Sequence, residues 1–492
     1  MPPKQVIPSP KGTRDFYPED QLRRRYITET WRAVSLRHGF EEIDGPTFEL
    51  TELYAVKSGE GILNELFQAF SGKSAKELER VRTEGRAPYA LRPEFTPTLA
   101  RMYAARAAQL PRPVRWFCTP TFYRAERPQR GRLREFGQWN CDVIGDESDN
   151  AVLDVLEVIG SMLGSLGAPP DLAEIRVSDR RIVSNWLEAR GISGESQSEA
   201  FAFFDAIPKM SEKAIHERAR QIGLSIDDFD HFRRGIRLDL DAFGTVRPDT
   251  RGVYGASRNQ PFWRLIEEAS NRAIRPIPRF DPFIVRGLAY YTGTVFEVLA
   301  EGERAVAGGG RYDNLIELFG GPPTPAVGFG MGDVVLANLL ADKGLMPEPA
   351  ELPEAVDAVV RSQRIRPEVF LAPGSSDEDA LIPPLIGALR RGVENEVPAG
   401  DAAPRPWSPD RWAVRPIHAR TTDKATRNPK KLLQDANRQR ARLYAQVHAP
   451  DKIELRDLDT GDDVAPPAGE HSFNSDPAHP AYLGKAVAAH LP

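Results

Sequence analysis

The sequence predicts a multidomain α+β protein. Two runs rich in β-branched and aromatic residues, 114–123 and 136–144, flank a polar turn and predict a hairpin. Apolar residues three and four apart, as in 21–34 and 152–166, predict amphipathic helices. A length of 492 residues points to about three domains, and the proline-rich stretch 346–353 marks one boundary.

In chain order, the first ten residues are proline-rich and expected to be loose. Asp20 is the expected N-cap of a helix that Gly39 stops, and residues 40–44 read as a short strand running into Pro46. Residues 51–84 read as short helix and loop. Beyond the hairpin, Gly167 and the prolines at 169 and 170 end the helix at 152–166. Residues 175–275 read as a charged, helical inserted module without a catalytic motif. Strands are expected at 283–298 and 305–311, then a short helix at 312–319. A glycine-studded strand, 326–332, feeds a helix capped by Asp333. The last unit has strands at 369–371 and 452–455, a helix at 379–391 and a basic helix at 429–442. Residues 399–416 read as proline-rich loop and 462–480 as a flexible tail.

Composition excludes whole classes of function. With 41% apolar and 27% charged residues, the chain has the balance of a soluble globular protein. No stretch approaches the ~18 apolar residues of a spanning helix. The start has no apolar signal region, so neither membrane insertion nor secretion is expected. Two cysteines, Cys118 and Cys141, cannot staple such a chain; free thiols in a reducing cytosol are expected, even if the hairpin sets them face to face. The net charge of −5 argues against indiscriminate coating of nucleic acid. Local charge differs: residues 112–134 hold seven arginines against Glu126, and residues 411–442 hold ten Lys or Arg against Asp423 and Asp435.

Gly328, Gly330 and Gly332 do not make a dinucleotide fingerprint, because the spacing differs from G-x-G-x-x-G and no βαβ unit opens there. No G-x-x-x-x-G-K-[ST] loop is present either, so any phosphate must be held by side chains. The histidines form no H-x-x-x-H pair, and His38 reads as a surface or helix residue. The hairpin turn Arg124-Ala125-Glu126-Arg127-Pro128-Gln129-Arg130-Gly131-Arg132-Leu133-Arg134 is the stronger lead. Fixed guanidiniums bind polyphosphate bidentately, and Glu126 can accept from an amino group. A soluble, exposed tip would also carry charge, but like charges this dense repel unless an anion joins them. Glu94 and Thr96 set a carboxylate and a hydroxyl at a strand-to-helix junction, for a substrate or as a helix cap. Arg286 is a lone arginine in an apolar strand. Burying it unpaired costs on the order of several kcal/mol, which an anionic ligand or a structural carboxylate would relieve.

Five motifs in order, Lys11-Gly12-Thr13-Arg14-Asp15-Phe16, Leu91-Arg92-Pro93-Glu94-x-Thr96, the arginine hairpin, Arg286-Gly287-Leu288-Ala289-Tyr290-Tyr291-Thr292-Gly293 and Gly308-Gly309-Gly310-Arg311-Tyr312-Asp313, resemble histidyl-tRNA synthetases. This is a class II aminoacyl-tRNA synthetase family, and the resemblance runs from about Lys11 to Leu340 and weakly past Pro367. It implies a class II catalytic core, an antiparallel sheet flanked by helices, with a C-terminal α/β anticodon-binding domain. The implied division is a loose N-terminus at 1–10, core at 11–174 and 276–345, helical insertion at 175–275, linker at 346–366 and anticodon-binding-like domain at 367–492.

The resemblance also implies roles. Arg124 would hold the ATP α-phosphate, Glu126 the adenine amino group and Arg132 the nucleotide's phosphates, with Phe136 stacked on adenine. Glu94, Thr96, Gln138 and Asp142 match positions around the α-amino group of L-histidine; Tyr290, Tyr291 and Tyr312 match its imidazole side. Arg286 would bridge the histidine carboxylate and the α-phosphate. Arg127 and Gln129 match positions near the acceptor end of tRNA(His), and the 411–442 run, with Lys430 and Lys431, is the candidate for anticodon-side phosphates. Mg²⁺ should accompany ATP, with no protein ligand assigned. The helix before Gly39 and the strand ending at Pro46 match the motif of a homodimer interface.

Three departures stand against this pattern. Val335 occupies the place of the third class motif's arginine, Ala289 stands where many members have aspartate, and the C-terminal domain matches poorly. The first two resemble a branch of the family. The rival reading is a catalytically silent paralogue, the histidine-sensing regulatory subunit of ATP phosphoribosyltransferase. Such paralogues tend to lose the hairpin arginines and the anticodon domain, whereas this chain keeps Arg124, Arg132, Arg286 and a sizeable C-terminal unit.

Overall fold

The computed structural model describes residues 7–58, 65–207, 210–234, 261–284, 290–398, 403–423 and 426–491. Helix α1 (Pro18–Arg37) begins ahead of the expected Asp20 cap. Pro18 presets φ for the first turn, and Glu19 and Asp20 lie inside that turn against the positive helix end. Gly39, at φ +79°, turns the chain into β1 (Glu41–Glu42). Next come β2 (Phe48–Leu50), α2 (Thr51–Ser58), β3 (Gln68–Ala69), α3 (Ala75–Glu84), β4 (Tyr89–Leu91) and α4 (Thr96–Arg106). The expected hairpin is formed by β5 (Val114–Cys118), β6 (Thr121–Tyr123) and β7 (Glu135–Ile144), followed by α5 (Asp149–Ser165).

Strand β8 (Ala173–Asp179) corrects the helical reading at residues 175–179. Ile175 and Val177 are buried and alternate with half-buried Glu174 and Arg176, a two-residue period that the charged helices after it obscure in the sequence. The helices α6 (Arg180–Glu188), α7 (Glu195–Ala206), α8 (Glu212–Gln221) and α9 (Ile226–Arg234) share a core of their own around Trp186, Phe204 and Phe232. By contrast, α10 (Pro261–Asn271) returns to the main body, burying Leu265 and Ile266 there. The body is completed by β9 (Arg279–Phe280), β10 (Thr294–Ala300), β11 (Ala307–Arg311), α11 (Leu315–Leu318), β12 (Ala326–Gly332) and α12 (Asp333–Asp342).

These strands build one sheet in the order β1-β5-β7-β12-β11-β10-β8-β9, with β6 paired to β7. It is antiparallel from β5 to β8 and parallel only in the pairs at its two edges, β1–β5 and β8–β9. The cysteines do not face each other: Cys118 lies opposite Asn140 and Cys141 opposite Phe117. One register step sends their side chains to opposite faces, into two different cores, where both are buried free thiols.

Residues 346–366 are more than a linker, since α13 (Leu352–Arg361) packs Leu352, Ala355 and Val356 into the main core. Beyond it lie β13 (Val369–Pro373), α14 (Ile382–Arg391), β14 (Val393–Glu394), β15 (Trp412–Val414), β16 (Ala419–Thr421) and α15 (Pro429–Arg438). The chain continues through β17 (Leu443–Ala449), β18 (Lys452–Asp457), β19 (Asp463–Val464) and α16 (Leu483–His490). The second sheet runs β16-β13-β17-β18-β19, with β13 parallel to both neighbours. The basic helix stops at Arg438, and the expected flexible tail is held down by buried Phe473, which bridges Ile453.

His38 is buried, not on the surface. Its Nε2 lies 2.9 Å from Ser161 Oγ of α5 and its Nδ1 3.5 Å from Arg390 of α14. Burial and the neighbouring Arg390 charge push its pKa well below the ordinary value, so the ring is neutral. Among the described residues, no helix is long and apolar enough to cross a membrane.

Candidate active site

Alternation along β7 puts Phe136, Gln138, Asn140 and Asp142 on one face, while Trp139 and Cys141 point into the main core. Glycines of β12 lie beside them, Gly328 opposite Asp142 and Gly330 opposite Asn140. A Cβ on Gly328 would fall 1.9 Å from Asp142 Oδ1, and one on Gly330 2.6 Å from Gln138 Nε2. On β11, a Cβ on Gly310 would meet Tyr291 at 2.9 Å. The glycine-studded strand is therefore a trough floor that leaves room for polar side chains, and the two-residue spacing of its glycines is the strand period itself.

Asp142 is 3% exposed, and the Tyr312 hydroxyl donates to its Oδ1 at 2.5 Å. Burial lifts the Asp142 carboxyl to about 7, although the bond from Tyr312 pulls the other way. Burial, with the Asp142 charge, pushes the Tyr312 phenol well above its ordinary value. The Tyr290 ring centroid lies 4.6 Å from that of Tyr291 and 6.2 Å from that of Tyr312. Gln138 donates to Asn140 Oδ1 at 2.9 Å. Thr292 donates to Asp313 at 3.0 Å, and Asp313 accepts from the Ala326 N–H at 3.1 Å, fixing the segments just before β10 and just after β11 that carry Tyr291 and Tyr312. A carboxyl poised near neutrality beside three tyrosines suits a polar, N–H-bearing planar ring.

The hairpin sits against the segment holding Glu94 and Thr96. Arg124 Nε donates to the Pro93 carbonyl at 3.0 Å, and its guanidinium lies 5.1 Å from the Phe136 ring centroid. Glu94 and Thr96 are half-buried at the start of α4. Glu126 and Arg132 form an ion pair. Phe136 packs at 6.0 Å from Phe122. Arg127 and Gln129 are exposed at the tip, where the backbones of Gln129 and Arg132 pair at 2.9 and 3.0 Å. Arg286 and Ala289 lie outside the described residues.

Sequence reasoning gave no contact to three residues that brace this arrangement. Arg14 donates to Asp333 Oδ2 at 2.7 Å, and Asp333 Oδ1 accepts from the Gly137 N–H at 2.9 Å. Asp333 is thus a bolt to β7 and not the expected cap, a position held by Gly332. Arg92 is buried and donates to Asp44, to the Gly45 carbonyl and to the Thr121 carbonyl. Charge complementarity at such sequence separations leaves no local signal.

The basic run at 411–442 is largely spent internally. Arg411 pairs with Glu394 at 2.6 Å, Arg415 with Glu368 at 2.7 Å, Arg438 with Asp435 at 2.6 Å and Arg442 with Asp459 at 3.6 Å. Arg420 donates to the Gly39 carbonyl at 2.9 Å. Lys430 and Lys431 remain exposed on the first turn of α15.

Residues 12–333 match the family described as histidyl-tRNA synthetase. The chain belongs to the histidyl-tRNA synthetase family. It is 37% identical over 342 residues to the histidine–tRNA ligase of Haloarcula marismortui, covering 69% of this chain and 76% of that protein. Against the histidine–tRNA ligase of Thermoplasma volcanium it is 33% identical over 412 residues, 80% of this chain and 90% of the relative. Among solved structures, the histidine–tRNA ligase subunit of Alicyclobacillus acidocaldarius is similar with a TM-score of 0.54 and 26% identity, covering 69% of this chain and 99% of that one. Histidyl-tRNA synthetase from Nostoc sp. PCC 7120 shares the fold, with a TM-score of 0.57 and 20% identity over 94% of this chain and 97% of that one. The α+β class II core read from the sequence is the observed fold.

Proposed function

We propose that this protein activates L-histidine with ATP to histidyl-adenylate, releasing pyrophosphate, and transfers the histidyl group to the 3′ end of tRNA(His). Membership of the family supports ATP, histidine and tRNA as its substrates. The observation that carries the site assignment is the hydrogen bond from Arg124 to the carbonyl of Pro93, next to Glu94. It supports a reading in which the guanidinium that would hold phosphate rests on the segment carrying Glu94, the carboxylate that would hold the substrate ammonium.

In this reading Arg124 and Arg286 hold the α-phosphate as the histidine carboxylate attacks phosphorus. They neutralise the charge that builds there, the role a preorganised cation fills best. Glu94, Thr96, Gln138 and Asp142 orient the amino acid, and the tyrosines enclose its ring. No covalent protein intermediate is needed, because positioning and charge neutralisation supply the catalysis. Glu126, Arg132 and Phe136 hold the nucleotide, while Arg127, Gln129, Lys430 and Lys431 meet tRNA. Among the described residues no group of three or more acidic, histidine or cysteine side chains converges on one point. Mg²⁺ would enter with ATP as the MgATP substrate, held mainly by phosphates and water, as this ion commonly is. The protein acts as a cytoplasmic homodimer through α1 and β1.

The retained hairpin arginines favour the ligase over the regulatory paralogue. The test is ATP–pyrophosphate exchange by the purified protein with each of several amino acids. Exchange dependent on histidine, followed by charging of tRNA(His), is expected. Folded protein without histidine-dependent exchange would leave the regulatory reading in its place.

A further inference from the structure

The turn between β10 and β11 reaches the tip of the arginine hairpin. Gly131, at φ +71°, presents its backbone so closely that a Cβ there would lie 3.2 Å from Val335 Cγ2 and 3.4 Å from Arg304 Cδ. The stem of Arg304 thus lies beside the residue that stands where the family places its third-motif arginine. Val335 is buried in the main core, so at this position α12 offers the tip no cation. The turn is pinned next to Arg304, because the almost wholly buried Glu303 carboxylate pairs with Arg130 at 2.5 Å. Asp342 also pairs with Arg130, at 2.6 Å.

Charge then decides what the tip lacks. Glu126 is already paired with Arg132. Partial burial and the Arg132 charge disfavour the Arg304 cation while Glu126 favours it, so Arg304 neighbours the Arg132–Glu126 pair and adds a second guanidinium near one carboxylate. A polyphosphate satisfies such a fork of donors better than water does. We infer that Arg304 is a further binding residue for the triphosphate of ATP, supplying from the β10–β11 turn the guanidinium that Val335 does not supply from α12. This inference rests on the proposed ATP-dependent activation.

The test uses Arg304→Gln, which keeps most of the stem against Gly131, and Arg304→Lys, which keeps the charge without the fork. ATP and AMP affinities are measured on the full-length protein, with KM for ATP and histidine in pyrophosphate exchange and charging of tRNA alongside. Arg304→Gln should weaken ATP about tenfold, the low end for a hydrogen bond to a charged group. AMP affinity and the KM for histidine should stay within about twofold of wild type, with Arg304→Lys intermediate. ATP affinity unchanged, an equal loss for ATP and AMP, or a defect confined to tRNA charging would each overturn the inference. Absence of exchange in the wild type would overturn the proposed function instead, and the ATP against AMP comparison would still judge Arg304.

Discussion

The hairpin and the C-terminal unit are both arginine-rich, yet they match their arginines with carboxylates to different extents. In the C-terminal unit Arg411, Arg415, Arg438 and Arg442 each meet a carboxylate of the fold. At the hairpin, Arg130 also meets carboxylates, Glu303 and Asp342, but Arg132 pairs with Glu126 beside a further guanidinium, Arg304, and Arg124 rests on a carbonyl and an aromatic face. Guanidiniums matched by internal carboxylates tie a fold together, whereas guanidiniums in excess over carboxylates await an anion. A basic run in a sequence therefore measures binding capacity only after its internal partners are subtracted.

The largest effect that would sharpen this contrast belongs to Arg286. In the proposed mechanism its guanidinium would lie between the substrate carboxylate and the α-phosphate and so stabilise the pentacoordinate transition state more than either ground state. Arg286→Ala should therefore lose about 3–4 kcal/mol of transition-state stabilisation, comparable with removing one oxyanion donor. Arg286→Lys should be intermediate, since it keeps the charge and loses the bidentate fork. Single-turnover adenylate formation reads both; near-normal turnover in Arg286→Ala would remove it from the mechanism.

Asp142 comes next, and it separates binding from stability. A carboxyl whose folded pKa is raised to about 7 binds its proton more tightly in the folded chain than in the unfolded one. The linked stability is thus highest near pH 4, falls as pH rises to about 7, and is level above that. Asp142→Asn removes this penalty, so the ligand-free protein should gain on the order of 2 kcal/mol at pH 8 in denaturant unfolding. Histidine affinity should fall at least about tenfold, as expected when a charged hydrogen-bond partner is lost. A variant that is destabilised at pH 8 and binds histidine normally would break the assignment.

The smallest effect is at Lys430 and Lys431, two exposed lysines of the basic run. Reversing both charges should weaken tRNA binding by roughly tenfold near physiological salt and flatten its salt dependence. Pyrophosphate exchange should be unchanged. Equal damage to exchange would mean that these lysines support folding.

Much of this was legible before the structure. The hairpin strands announce themselves by β-branched and aromatic residues, and Gly39 and Gly167 stop the helices where expected, each with positive φ. The pocket residues Gln138 and Asp142 share a face because they lie four residues apart on β7. What was not legible depended on partners far away in the chain. Asp333 looked like a cap, but its carboxylate is claimed by Arg14, 319 residues away. His38 looked peripheral because only the fold brings Ser161 and Arg390 to it. Strand β8 was hidden by the helical charge pattern that follows it. The spacing of the β12 glycines does not make a nucleotide loop, and their purpose shows only in the fold, where Asp142 and Gln138 lie over them.

The most direct test of the contrast sets one arginine from each region side by side. Arg124→Ala and Arg411→Ala are compared by single-turnover histidyl-adenylate formation and by thermal unfolding. Arg124→Ala should lose about 10²–10³ in rate with little change in melting, as expected for a preorganised donor to a developing anion. Arg411→Ala breaks the contact to Glu394 and to the Gly164 carbonyl, so it should lower the melting temperature and leave the rate unchanged. Near-normal adenylate formation by Arg124→Ala, or a rate loss in folded Arg411→Ala as large as that in Arg124→Ala, would contradict the account.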